Sequence, residues 1–286
     1  MFCKNMLAKI PTNKLNFTSY YHPRQELTSL VPNRRLNHYS YFFRDLRSGF
    51  IAQFLHDLSC DDSDNKNKFE VASLGCSYGQ EVYSYAMKFA ERGLKDKVKL
   101  TGYDLSQTVV DYAKNGEYDF KQYILDDFVI LTRGKYKDYF KILPNKDVRI
   151  ATELLPECDF QKADIRTLKL PKESQDIILF NNVLYHITNN TTEKEQEEVC
   201  TSMAKLIYDA MKFDGLLVTD VEEDYPSAKY LDNALLGFGF ADIGRGIYQK
   251  KTPDCIRENY ISIQKSYIKN KQKLDELNKS ISRFTI

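Results

Sequence analysis

The sequence predicts an α/β domain in which a mainly parallel, Rossmann-like sheet is covered by helices on both faces. Three observations predict it. Residues 69–81, F-E-V-A-S-L-G-C-S-Y-G-Q-E, pass from apolar alternation through a glycine turn into a helical period. Strand-like and helix-like segments then alternate along most of the chain, the pattern of parallel strands joined by crossover helices. Asp104 closes the second strand-like segment, 98–103, at about the 20-residue separation expected of an acid that holds a ribose.

Taken in order, the first regular element is a helix carrying Phe50, Ile51, Phe54, Leu55 and Leu58 on one face. A polar loop at 60–68 leads into the first strand, where Val71, Ala72 and Leu74 are the apolar positions. Gly75 and Gly79 bracket the turn, and Val82, Tyr85, Ala86, Phe89 and Ala90 recur at helical spacing. Ser106 is the expected N-cap of the next helix, which Asn115-Gly116 should end. The segment 118–156 breaks the rhythm: a helical portion rich in Tyr, Phe and Asp is followed by 139–143, a Pro144-Asn145-Lys146-Asp147 turn and 148–151, read together as a hairpin inserted into the sheet fold. Strands are expected at 158–163 and 176–180. Thr192 then opens a long helix with Glu193, Glu195, Glu197 and Glu198 at its positive end, Val199, Met203, Leu206, Ala210 and Met211 facing inward, and Gly215 as its end. A strand at 216–219, a helix through Tyr230, Leu231, Leu235 and Leu236, and two short strands at 238–243 and 247–250 complete the domain.

The 286 residues suffice for one large catalytic domain with additions, and a net charge of +1 gives no argument for a nucleic-acid partner. Residues 1–38 form a basic arm, with Lys4, Lys9, Lys14, Arg24, Arg34 and Arg35 against Glu26, able either to meet an acidic partner or to remain solvated. The six cysteines are scattered without close pairs, which argues against a zinc site or a disulfide framework and for a reducing cytoplasm. No apolar run approaches the ~20 residues of a membrane span, and the N-terminus lacks a signal peptide's apolar centre, so no membrane insertion is expected.

The ligand follows from what the turn lacks. A dinucleotide site needs G-x-G-x-x-G, and Ser77 takes the place of the middle glycine; no G-K-[ST] marks a nucleoside triphosphate. Gly75 lets the backbone approach a ligand closely, while Glu81 in the following helix would repel a phosphate and attract a cationic amine. S-adenosyl-L-methionine has the ribose and the amine and carries no phosphate.

Five stretches carry a resemblance: S-Y-F-F-R-D (40–45), G-C-S-Y-G-Q-E-V-Y-S (75–84), Y-D-L-S (103–106), A-K-N-G-E-Y (113–118) and D-I-I-L-F-N-N-V-L-Y (176–185). Over residues 39–250 the sequence resembles the CheR family of chemotaxis-receptor glutamate methyltransferases. The resemblance implies a class I methyltransferase fold with a small antiparallel insertion, S-adenosyl-L-methionine as cofactor and methyl transfer to a protein glutamate side chain. It implies cofactor contacts at His38, Ser40, Arg44, Glu81, Asp104, Asp164, Ile165, Phe180, Asn181 and Asn182. Two positions depart from the family: Asn181 stands where it usually has Arg, and His186 where it usually has Tyr. With about forty residues before the matching region, the family's N-terminal helical receptor-facing domain is expected to be largely missing.

A glutamate acceptor with a pKa of ~4.3 is already ionised at neutral pH, so alignment is the main catalytic task. Arg44 is expected to position the acceptor carboxylate, with Tyr185 and His186 lining the methyl channel; were the acceptor an amine or phenol, His186 would be the base. Two rival readings are a methyltransferase acting on a small molecule or another protein acceptor, and a non-catalytic cofactor-binding or assembly protein. The domain is bounded at 39–251, and the remaining tail, 252–286, reads as an amphipathic helix. Its Ile256, Tyr260, Ile263, Tyr267, Leu274, Leu277, Ile281 and Phe284 alternate by fours and threes, interrupted at Asn270. That seam would be buried against the catalytic domain or against a second copy in a homodimer.

Overall fold

The computed structural model describes residues 42–45, 47–61, 68–119, 134–145, 147–189, 191–219 and 226–252, all within the compact unit Ser40–Thr252. His38, Ser40, the basic arm, residues 120–133 of the insertion and the heptad tail lie outside the described residues.

Seven strands form the main sheet in the order β6-β2-β1-β7-β8-β10-β9. The first five of these are parallel: β6 (Glu157–Lys162), β2 (Val98–Asp104), β1 (Phe69–Leu74), β7 (Gln175–Phe180) and β8 (Met211–Thr219). The hairpin of β9 (Phe240–Gly244) and β10 (Ile247–Lys250) adds the antiparallel edge. Consecutive residues of the central strands enter opposite cores. Val71, Ile177, Leu179, Leu216 and Val218 pack with α1 (Ser48–Asp61) and α2 (Gln80–Glu91), whereas Ala72, Leu74, Ile178, Phe180 and Leu217 pack with α5 (Glu193–Ala210) and α6 (Pro226–Phe238). Burial on both faces is why these strands read as nearly unbroken apolar runs. The predicted α/β class, with helices on both faces and a small antiparallel insertion, is the one observed.

The inserted hairpin is β4 (Phe140–Ile142) against β5 (Val148–Ile150), and β5 pairs on its other edge with β3 (Glu117–Tyr118), a strand the sequence reading did not separate from the insertion. Helix α3 (Gln107–Asn115) ends at Gly116, whose φ of 63° is the left-handed turn expected of it. Ser106 occupies the N-cap, but its hydroxyl makes no capping bond; the Asp104 carboxylate instead accepts the Ser106 N–H at 3.0 Å. Thr192 does cap α5, in a reciprocal capping box with Glu195.

The end of α5 differs from expectation. It stops at Ala210 rather than Gly215, and Met211 already belongs to β8. Glu173 and Ser174 donate backbone N–H groups to the carbonyls of Asp209 and Ala210, closing the helix. Gly215 lies within β8, where an added Cβ would sit 2.8 Å from the Asp176 carbonyl oxygen and 3.0 Å from that of Lys212. A close backbone approach, and not a cap, requires glycine there.

Candidate functional site

Five parallel strands end along one edge, and the polar residues of interest lie at those ends. The β1–α2 turn has three left-handed residues, Gly75 (φ 79°), Ser77 (φ 51°) and Gly79 (φ 84°). The backbone N–H groups of Gly75 and Cys76 both donate to the Tyr103 carbonyl of β2, at 2.8 and 2.9 Å, holding the turn over the strand end. A Cβ on Gly75 would meet Val183 Cγ2 at 2.3 Å, so the turn packs directly against the residues following β7. Asp104 fastens it further. Its Oδ2 accepts the Ser77 N–H at 2.9 Å while Oδ1 takes Ser106, leaving the remaining lone pairs of the carboxylate for a ligand.

Glu81 projects from the first turn of α2. Its Oε1 accepts from Ser73 Oγ at 3.0 Å and its Oε2 from Asn181 Nδ2 at 2.9 Å. Burial raises the Glu81 pKa, and the positive charge of Arg44 opposes that rise together with the Asn181 hydrogen bond. Asn181, 5% exposed at the end of β7, also reaches Asp45 Oδ2 at 3.3 Å and accepts from Arg47 Nη2 at 2.9 Å. Asp45 accepts from Arg47 Nε at 2.8 Å and from the Tyr85 hydroxyl at 2.5 Å. Burial alone would raise the Asp45 pKa, but the Arg47 charge and these hydrogen bonds outweigh it and hold the carboxyl below its ordinary value. Burial pushes Tyr85 and Cys76 well above their ordinary values, with Asp45 adding to the first and Asp104 and Glu81 to the second. Both therefore remain neutral.

Helix α2 joins two of the sequence stretches physically. The Phe43 N–H donates to Ser84 Oγ at 2.8 Å, Ser84 donates to the Gln80 carbonyl, and Tyr85 holds Asp45. Serine and tyrosine of the turn-helix stretch thus seat the segment carrying Arg44.

The match to known families is decisive at this point. Residues 38–231, more than half of the chain, match the model described as CheR methyltransferase, SAM binding domain. The chain belongs to the CheR methyltransferase family. It is an S-adenosyl-L-methionine-dependent methyltransferase of that family. A chemotaxis protein methyltransferase of Campylobacter jejuni is 25% identical over 65% of this chain and 68% of its own length. One from Borreliella burgdorferi is also 25% identical, over 63% of this chain and 64% of its own length. Among solved structures, the CurJ carbon methyltransferase aligns over 72% of this chain and 54% of its own, with a TM-score of 0.40 and 11% identity, too distant to bear on function.

Within the family frame the remaining expected residues are placed unevenly. Asp164, after β6, forms a two-point ion pair with Arg166, whose hydrogen bonds lower its pKa. Ile165 and Phe180 are buried in the core beside α5, so a ligand could meet Phe180 only through its backbone. Asn182 adopts a left-handed φ of 56°. Tyr185 and His186 sit on the short helix α4 (Leu184–Thr188), both exposed, with their rings edge to face at 5.6 Å. His38 and Ser40 are outside the described residues.

Does this edge suit the cofactor? Among the described residues, the buried side-chain polar atoms without a partner are Ser77 Oγ in the β1–α2 turn, both ends of the Gln80 amide at the start of α2 and Thr219 Oγ1 at the end of β8. Buried polar groups left unpaired at one edge are what a polar ligand would complete. Leu105, 60% exposed directly after Asp104, offers an apolar surface beside the carboxylate. An acid for ribose hydroxyls, a second acid for an ammonium and an open apolar surface for a base fit S-adenosyl-L-methionine. Sequence reasoning missed Asp45, Arg47, Ser73, Gln80 and Leu105; the Asp-x-Arg spacing and the apolar residue after Asp104 were the available signals.

Proposed function

We propose that the chain methylates a carboxylate on a protein, as a protein-glutamate O-methyltransferase. The catalytic unit is taken as residues 39–251, with the arm 1–38 and the tail 252–286 outside it. The observation that supports this reading is the charge of Arg44, which acts on Glu81 at the strand edge and so puts a cation able to hold an acceptor carboxylate beside the proposed ammonium site. A carboxylate acceptor is ionised already and needs no base, whereas an amine or hydroxyl acceptor would need one.

When bound, S-adenosyl-L-methionine supplies an electrophilic methyl group on a sulfonium. Asp104 would take the ribose hydroxyls, Glu81 the ammonium, and the backbone of Gly75 the closest approach. Asp164, Ile165, Phe180, Asn181 and Asn182 would line the cofactor at the ends of β6 and β7, with His38, Ser40 and Arg44 contributed from before α1. Arg44, electrostatically coupled to Glu81, positions the acceptor carboxylate, and Tyr185 and His186 form the lip over which it enters. Exclusion of water by that lip and alignment by Arg44 are the catalytic terms.

Transfer of tritiated methyl groups into a cell lysate, followed by mild base, tests the reading. Label released by base, and lost in Arg44→Ala while that variant stays folded, is the expected result. Base-stable label would replace the carboxylate with an amine or hydroxyl acceptor and make His186 the base. Cofactor binding without any label would leave the non-catalytic binder.

A further inference from the structure

Arg47 has five N–H donors, and each is matched. Nε and Nη2 bond the two oxygens of Asp45 at 2.8 and 3.1 Å, Nη1 bonds the carbonyls of Thr219 and Arg245 at 2.7 and 2.9 Å, and Nη2 also bonds Asn181 Oδ1 at 2.9 Å. One side chain therefore ties the segment before α1 to the ends of β7 and β8 and to the β9–β10 turn. That turn is shaped around the latch: a Cβ on Gly246, where φ is 68°, would lie 2.0 Å from the Thr219 carbonyl oxygen and 2.9 Å from Arg47 Nη1.

The consequence lies in the direction of the Asn181 amide. A guanidinium only donates, so the amide can face it only with its oxygen; its NH2 must then point away, toward Glu81 Oε2 and Asp45 Oδ2. We propose that Arg47 is a positioning residue for methyl transfer, holding Asn181 in the orientation that presents an N–H to Glu81 and thereby keeping Glu81 charged and aimed at the cofactor's ammonium group. This rests on the assignment of Glu81 to that ammonium. The other groups facing Glu81 are Arg44 and Asp45 from before α1, Ser73 from β1, Cys76 from the turn and Tyr85 from its own helix. Burial and Asp45 oppose the charged acid, while Arg44, the Asn181 N–H and the Ser73 hydroxyl favour it.

The test is calorimetric titration of the full chain with S-adenosyl-L-methionine from about pH 5 to 8. In the native chain, affinity falls as acid protonates Glu81. Arg47→Gln, whose amide can accept as well as donate and so frees Asn181 to turn over, weakens binding about tenfold and moves the midpoint of that pH dependence upward. Arg47→Lys, a donor only, restores part of both. Should Arg47→Gln fail to fold, Asn181→Ala, which leaves the Asp45–Arg47 pair intact, produces the same upward shift, and adding Arg47→Lys to it shifts the midpoint no further. A folded Arg47→Gln or Asn181→Ala with weakened affinity but an unmoved midpoint would make Arg47 a scaffold residue and overturn the proposal. A native chain that does not bind the cofactor would overturn the functional reading instead.

Discussion

Two buried charge centres lie at opposite edges of the same sheet, and they are built differently. At the edge where the parallel strands begin, Lys250 is 1% exposed and donates to the carbonyls of Tyr208 and Met211 at 2.9 and 2.8 Å. Its ammonium also lies 4.2 and 4.4 Å from the ring centres of Tyr208 and Phe213. It thus covers the last carbonyls of α5, where a cation is favoured. At the opposite edge, Asp45, Arg47, Glu81 and Asn181 meet from three separate parts of the chain and bond one another through side chains, with Arg47 also held by the Thr219 and Arg245 carbonyls. With the Glu173 carboxylate 3.8 Å away as well, the Lys250 ammonium is enclosed by the protein's own carbonyls, rings and one acid. A cluster of side chains in which burial raises one acid is completed by an arriving cation. Burial of charge alone does not separate scaffold from site; an acid that burial has raised, placed to receive a cation, does.

Asp104→Ala provides the largest break in that comparison. It removes the carboxylate that holds Ser77 and Ser106 and that would take the ribose. At about 1.5 to 3 kcal/mol per charge-assisted hydrogen bond, cofactor affinity measured by calorimetry should fall at least a hundredfold, roughly the loss of two such bonds. Asp104→Asn, which keeps one acceptor, should fall less. Unchanged affinity in Asp104→Ala would move this acid to the scaffold class occupied by Lys250.

Lys250→Met tests the other edge. Two buried carbonyls lose their donor, each orphan costing about 1 to 3 kcal/mol, so the urea midpoint should drop clearly. Cofactor affinity should not change. A Lys250→Met chain that remained stable but lost affinity would erase the distinction between the two edges.

What the sequence conveyed depended on whether a local period existed. The sheet was legible because β1, β7 and β8 carry apolar residues on both faces and the intervening helices repeat at helical spacing. Asp104 was legible because its distance from the glycine turn is itself a signal, and Thr192 because its capping box is a local pattern. The boundary of α5 was misread at Gly215 because a glycine needed for close approach and a glycine needed for a cap are the same letter; the helix ends earlier, where residues 173–174 reach its carbonyls. Arg47 is not legible, for another reason. Phe43 adopts a left-handed φ of 56°, so the segment before α1 has no periodicity from which to read which arginine turns inward. Its partners are also 134, 172 and 198 residues away.

The smallest effect, and the one that sharpens the comparison most, is the pH dependence of stability without cofactor. The Asp45 pKa is lowered in the folded chain, so its contribution is present above the ordinary carboxylate range and is lost as pH falls through the lowered value. Glu81 has the opposite sign. Its folded pKa is raised, so the folded chain binds the proton more tightly than the unfolded one, and stability declines as pH rises from the ordinary ~4.3 through the raised value. Lys250, its pKa lowered mainly by burial, costs the folded chain a constant amount through the acid and neutral range; that cost is relieved only as pH rises from the lowered value toward the ordinary one, so it adds no slope in acid. Urea titrations across the acid and neutral range should therefore show an acid-side loss and, above it, a shallow decline. Glu81→Gln should abolish the decline and leave the acid-side loss in place, because the amide cannot titrate while Asp45 keeps its partners. Bound S-adenosyl-L-methionine should flatten the same decline in the native chain by placing an ammonium against Glu81. If Glu81→Gln retained the decline, the raised acid would have to be sought elsewhere, and the strand edge would be as closed a scaffold as the seal around Lys250.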